Sequence, residues 1–164
     1  MNAGDRFAWW ILTFGGSGTA PAAPGTAGSL AALGVAALLR GVLDLRQPWL
    51  FPALALAIGA LHIAVGGRIP RLFGRADPPS VVSDEACGLW LVFCAPLPAG
   101  TPWWPPLLLG FVLFRIFDIA KPLGIRRLDR IPGKWGVLLD DLLAGLYAGV
   151  VLWGFGATGA LAGL

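Results

Sequence analysis

Apolar positions gather into five runs, Leu30 to Leu43, Trp49 to Val65, Ala86 to Leu97, Trp103 to Phe117 and Gly136 to Leu164, with charged or proline-rich stretches between them. The first is broken by Arg40 and opened by a loop from Gly15 to Gly28; the second follows Pro48. Both are near the length of one bilayer crossing. Pro98, Gly100, Pro102, Pro105 and Pro106 must break the helix between the third and fourth runs. Each of these two is shorter than the ~20 residues of an ordinary span, which predicts a thinned bilayer, little tilt or a re-entrant pair. The fifth carries Gly145 and Gly149 at the spacing that lets another helix approach closely. Ahead of them all, Arg6 precedes only a short apolar stretch, Phe7 to Phe14, which reads as an amino-terminal interfacial helix rather than a cleavable signal peptide. The expected fold is all-α: an integral membrane bundle of about five embedded helices plus that short helix, in a single domain over residues 1–164.

Composition supports this pattern. Apolar residues make up 57% of the chain and charged residues 13%, with a mean hydropathy of +0.75, which excludes an ordinary soluble domain. The net charge of +3 raises nucleic acid as a partner, but the basic residues flank apolar runs without interleaved aromatics. Anionic lipid headgroups suit that placement and nucleic acid does not. Cys87 and Cys94, on one expected helix, stand two turns or about 10 Å apart, too far for a disulfide.

Orientation follows the positive residues. Arg68, Arg71 and Arg75 precede the third run; Lys121, Arg126, Arg127, Arg130 and Lys134 precede the fifth; both loops are expected on the cytoplasmic side. The loop holding Arg40, Asp44 and Arg46 is then outside despite its two arginines. Trp9, Trp10, Trp49, Trp103 and Trp104 near run ends read as interfacial anchors.

This topology brings seven of the nine acidic residues, Asp77, Asp84, Glu85, Asp118, Asp129, Asp140 and Asp141, to one face. A carboxylate near hydrocarbon costs several kcal/mol unless it is paired, hydrated or bound to a cation. Asp84, Glu85, Asp118, Asp140 and Asp141 form a hard oxygen set suited to Mg²⁺ or Mn²⁺, and the lack of a Cys or His cluster argues against zinc. The competing reading pairs each acid with a loop arginine, but the adjacent pairs Asp84–Glu85 and Asp140–Asp141 repel unless a cation intervenes. Arg115, Asp118 and Lys121 share a helical face ended by Pro122; Arg115 either pairs with an acid or contacts a phosphate. Pro24 to Ser29, at a helix amino terminus, either holds a phosphate or is capped by Thr26 or Ser29. His62, the lone histidine, is a functional candidate within an apolar run or a neutral, hydrogen-bonded packing residue. No triad or nucleophile motif offers a covalent intermediate.

Four motifs in order, Gly16-Ser-Gly with Pro24-Gly-Thr-Ala-Gly-Ser-Leu, Asp77-Pro-Pro-Ser-Val-Val-Ser-Asp-Glu-Ala-Cys-Gly, Phe114-Arg-Ile-Phe-Asp-Ile-Ala-Lys-Pro, and Leu139-Asp-Asp-Leu-Leu-Ala-Gly, resemble the phosphatidylglycerophosphatase A family of bacterial inner membranes. The resemblance runs from Phe14 to about Val150. It implies a Mg²⁺-dependent lipid phosphatase that converts phosphatidylglycerophosphate to phosphatidylglycerol, in a bundle with one central helix surrounded by others. The family's acidic pairs match Asp84 with Glu85 and Asp140 with Asp141, and its FD-x-x-KP element matches Asp118, Lys121 and Pro122. Gly133-Lys134-Trp135-Gly136 departs from the family's Gly-Gly element, and Val65 to Ala76 is Arg-rich where many members are acidic.

The mechanism so implied places Mg²⁺ on Asp84, Glu85, Asp118, Asp140 and Asp141, with Arg115 and Lys121 neutralising the phosphate and Thr26 and Ser29 on its far side. A carboxylate, Asp129 or a member of a pair, serves as general base; Asp84, Asp118, Asp129 and Asp141 are the expected catalytic set. The site would face the cytoplasm from a bacterial inner membrane. The sequence sets no oligomeric state. Two other classes would use the same acids. A CDP-alcohol phosphotransferase needs a DG-x-x-AR to D-x-x-x-D pattern, absent here, and a cation carrier would spread its acids through the membrane depth.

Overall fold

The computed structural model describes residues 1–161, and among these every regular element is helical. Helix α1 spans Ala3–Leu12, α2 Pro24–Ala37, α3 Leu50–Gly66, α4 Ile69–Phe73, α5 Ser83–Val92, α6 Trp104–Ala120, α7 Ile125–Leu128 and α8 Lys134–Ala157. Two stretches, Pro24–Val42 and Lys134–Ala157, are long and apolar enough to cross a membrane; Leu50–Gly66 is a shorter apolar helix. Together with exposed Leu56, Ile119, Val150 and Trp153, they are consistent with membrane association.

Several boundaries differ from the sequence reading. Helix α2 starts six residues before Leu30, because Pro24 at its first turn has a fixed φ and no N–H to lose. It closes with a wider π turn over Leu38–Val42. Helix α5 stops at Val92, five residues short of Leu97, and Cys94 lies beyond its end. Its ten residues extend about 15 Å, half a hydrocarbon core. Helix α6 continues to Ala120, which puts Asp118 inside it. The final helix begins at Lys134 and ends at Ala157, so Asp140 and Asp141 sit two turns into it; residues 162–164 of the expected run lie outside the described residues.

Short as it is, α5 is almost wholly buried and packs against α2, α3, α6 and α8. Its contact with α8 is the closest, and glycines set it. A Cβ on Gly88 would stand 2.5 Å from the Asp141 carbonyl oxygen, and one on Gly145 would overlap the Gly88 carbonyl. One turn further, Gly149 meets Val92 with ordinary clearance, 3.5 Å. The two helices therefore run parallel, with Asp84, Gly88 and Val92 along one seam and Asp141, Gly145 and Gly149 along the other. The small-residue spacing seen in the sequence thus serves a helix inside the same chain.

Candidate active site

Asp84 is one turn before Gly88 and Asp141 one turn before Gly145, so the backbone crossing of α5 and α8 carries these two carboxylates to each other. Carboxylate oxygens of Asp84, Glu85 and Asp141 lie within 4.8 Å of one another. Asp84 and Glu85 occupy the first turn of α5, where free N–H groups favour negative charge. Asp84, Asp140 and Asp141 are each at most 5% exposed. Carboxylates as close as Asp84, Glu85 and Asp141 repel one another more than the helix terminus alone offsets.

These groups line a cavity of about 400 Å³ whose wall includes all seven acids that the sequence placed on one face, Asp77, Asp84, Glu85, Asp118, Asp129, Asp140 and Asp141. Pro24 and Gly25 at the head of α2 form another part of the wall, and Lys121 and Arg130 supply its cations. Gly25 lets Glu85 come close: a Cβ there would overlap Glu85 Oε1 and push that carboxylate aside. Behind the wall, Gly28 and Gly18 admit the segment before α5, since a Cβ on Gly28 would lie 2.5 Å from the Val82 side chain and one on Gly18 would overlap the Ser80 carbonyl. The glycines of the first motif thus seat the second motif.

Lys121 ends α6 in the left-handed conformation, φ 46°, because Pro122 bars it from continuing the helix. That turn sends its ammonium to Asp140, 2.5 Å away, and to Asp129. Burial lowers the proton affinity of Lys121, but the two carboxylates outweigh it and hold the group above the ordinary lysine range. It is a fixed positive charge at the cavity wall. Arg115 donates to Asp118 at 2.5 Å and to Ser29 Oγ at 3.3 Å. Of the two roles left open for Arg115, the acid pair is the contact present; its Nη1 also stands 3.6 Å from where a Cβ on the wall residue Gly25 would be.

Thr26 and Ser29 are outside the lining: Ser29 is buried, donating to the Gly25 carbonyl at 2.9 Å while it receives Arg115. Neither caps α2, whose N-cap position is Ala23. Sequence reasoning quoted Gly25 without giving it a role and counted Arg130 only toward topology. A Pro-Gly pair at a helix start is the signal that would have picked out Gly25, since glycine there admits close backbone approach.

Buried Asp84 Oδ1, Glu85 Oε2 and Asp140 Oδ1 have no hydrogen-bond partner. Buried carboxylate oxygens are rarely orphaned, and here they share one cavity with a three-carboxylate cluster. A hard divalent cation fits this donor set.

His62 is buried away from the cavity and joins the two helices that carry the acid pairs. Its Nδ1 lies 2.9 Å from Ser83 Oγ at the start of α5, and its Nε2 lies 3.2 Å from the Lys134 carbonyl at the start of α8. A carbonyl only accepts, so Nε2 carries the proton and Nδ1 accepts from the Ser83 hydroxyl. Lys134 Nζ returns to the Ile63 carbonyl at 2.8 Å, closing the junction.

The family model described as phosphatidylglycerophosphatase A matches residues 10–155. A protein of Bacteroides thetaiotaomicron bearing the name "Putative phosphatidylinositol-3-phosphatase" is 38% identical over 138 residues, 84% of this chain and 86% of its own. Phosphatidylglycerophosphatase A of Escherichia coli K12 is 35% identical over 151 residues, 90% of this chain and 83% of its own. The Haemophilus influenzae protein of the same name is 35% identical over 139 residues, 84% of this chain and 82% of its own. No solved structure matches the chain.

Proposed function

Since this chain belongs to the phosphatidylglycerophosphatase A family, we propose that its acidic cavity is where phosphatidylglycerophosphate loses its terminal phosphate to give phosphatidylglycerol. The protein is a phosphatase of that family. What supports this seat for the chemistry is the convergence of Asp84, Glu85 and Asp141 within 4.8 Å, on a cavity that also holds Lys121.

In this reading Asp84, Glu85 and Asp141 hold Mg²⁺, with Asp118 and Asp140 beside them. The bound ion would supply Lewis-acid polarisation of the phosphoryl oxygens and a more acidic water. The chain's own groups do the rest. Lys121, fixed between Asp129 and Asp140, neutralises charge that develops on the transferring phosphoryl group. Gly25 brings the first free N–H groups of α2 toward the same phosphate. Arg115 keeps Asp118 turned to the cavity edge, with Ser29 steadying the guanidinium. Asp129, the most exposed member of the ion-paired group, is the candidate to take the proton of the attacking water. Arg130 at the wall attracts the lipid's remaining negative charge.

The wider reading is a single membrane-embedded unit of about five helices with α5 at its centre. The acid cavity opens to the cytoplasm of a bacterial inner membrane, where the basic loops after α3 and α6 meet anionic headgroups. The lipid's acyl chains stay in the bilayer while its headgroup phosphate reaches in. The family match does not favour the transporter or phosphotransferase alternatives. The Bacteroides relative's name keeps a second headgroup in view, because the same phosphomonoester chemistry would act on phosphatidylinositol 3-phosphate.

The test is phosphate release by detergent-purified protein from both lipids, with Mg²⁺ and with EDTA. Release from phosphatidylglycerophosphate that needs Mg²⁺ is expected. Equal release in EDTA would remove the metal from the mechanism. Faster turnover of the phosphoinositide would move the substrate to that headgroup.

A further inference from the structure

A second cavity of about 440 Å³ lies at the opposite end of the bundle, where α2 ends, α3 and α6 begin and the proline-rich loop after α5 folds over. Its wall is apolar over Phe51, Phe93, Leu107 and Leu152, yet Arg40 and Arg46 also line it and no carboxylate does. Arg46 is ion-paired with Asp44 at 2.5 Å. Arg40 has no carboxylate partner among the described residues; its guanidinium sits over the Phe51 ring, 5.0 Å from the centroid. The wider π turn over Leu38–Val42 sets it there, and Gly41 in that turn lets the Trp103 indole close in, 2.7 Å from where a Cβ would be. Single π turns of this kind are rare, and those that occur are frequent at functional sites. An unpaired guanidinium beside apolar side chains calls for an anion carried on an apolar body.

We propose that this cavity binds the headgroup of an anionic phospholipid, its phosphodiester on Arg40 and its acyl chains along the apolar wall. Arg40 stands fifteen positions after Gly25 along α2 and its closing π turn, about 22 Å, so the two cavities sit at opposite membrane levels in the topology above. The inference rests on that membrane reading and goes beyond it. One uncompensated guanidinium matches the single negative charge of a phosphodiester better than the double charge of a phosphomonoester substrate. It also gives Arg40 a reason to stand at a level that the positive-residue rule would keep free of arginine.

Native mass spectrometry of the full chain in detergent, titrated with phosphatidylglycerol or zwitterionic phosphatidylcholine, tests this. Phosphatidylglycerol is expected to be retained preferentially, and Arg40→Gln to weaken that retention about tenfold, the worth of one charge-assisted hydrogen bond. Asp84→Asn, damaged at the acidic cavity, should keep the lipid, which separates this site from the catalytic one. Arg40→Lys, which preserves the charge for folding but not the planar fork, should lose several-fold. Equal retention of the two lipids, or undiminished affinity in both Arg40 variants, would overturn the proposal. Displacement of the lipid by equimolar glycerol 3-phosphate would show that the site reads a phosphate anion alone and would overturn the lipid assignment.

Discussion

The two ends of this helix bundle solve opposite problems with the same helices. At one end α5 and α8 touch backbone to backbone through Gly88 and Gly145, and seven carboxylates crowd a cavity that two cations cannot neutralise. At the other end large side chains such as Phe93 and Leu152 stand between the helices and line a second cavity, and positive charge is in excess. Close approach gathers carboxylates into a cluster whose oxygens fit a hard cation. Apolar side chains in place of backbone contact make a greasier one, of the kind proposed for a lipid. Charge alone does not tell the ends apart in kind; what stands between the helices beneath it does.

Breaking the acidic end should have the largest consequence. Asp84→Asn or Asp141→Asn is expected to cut phosphate release about 1,000-fold or more, as expected when metal-held electrostatic stabilisation is lost. The stability effect should have the opposite sign: in EDTA each variant should unfold at a higher temperature than the parent, because one member of a repelling cluster has been neutralised. Mg²⁺ should stabilise the parent and leave the variants nearly unmoved. A parent protein indifferent to Mg²⁺ in that melt would refute the cation site whatever the activity shows. Next in size is Lys121→Gln, at about 100-fold in kcat, with Asp129→Asn at about tenfold if it serves as the proton acceptor. Equal losses in the two would mean that Asp129 acts only by holding Lys121.

A smaller effect isolates the helix spacing itself. Gly145→Ala puts a methyl into the Gly88 carbonyl and should cost about 2 kcal/mol in stability, whereas Gly149→Ala, whose Cβ has ordinary clearance from Val92, should cost well under 1 kcal/mol. Similar melting temperatures for the two variants would show that the seam is not closed by its glycines. Because Gly145 stands one turn from Asp141, its alanine variant should also weaken the Mg²⁺ shift.

The acidic cavity was legible from sequence because charge is scarce in an apolar chain: Asp84, Glu85, Asp118, Asp140 and Asp141 stand out against their runs, and all five line the one cavity. The helix ends were less legible. Val92 ends α5 although Phe93 to Leu97 is equally apolar, since hydropathy does not register where a chain turns under Pro96 and Pro98. Helices α4 and α7, five and four residues long, lie in segments read only as basic loops. Thr26 and Ser29 read as a phosphate turn or a cap because α2 was started at Leu30; with Pro24 in its first turn they lie inside the helix, and Ser29 is buried against the Gly25 carbonyl. Gly88 drew no attention, since its partner Gly145 is on a distant helix and spacing rules see only one strand of such a seam.

His62 shows most clearly what a single sequence withholds. Its partners are 21 and 72 residues away, so nothing local distinguishes it from a histidine that merely fills space. Of the two sequence readings, the hydrogen-bonded packing residue describes its contacts, yet those contacts join the starts of the helices bearing Asp84–Glu85 and Asp140–Asp141. His62→Gln should therefore cost about 1 kcal/mol in stability, the net worth of one buried hydrogen bond, with the other partly kept by the amide. If the junction positions the carboxylates, kcat should fall several-fold with KM little changed, and Ser83→Ala, which removes only the donor to Nδ1, should reproduce part of that fall. A melt lowered by the same amount with kcat untouched would make His62 a stabiliser of the fold and leave the α5–α8 glycine seam alone to align the acids.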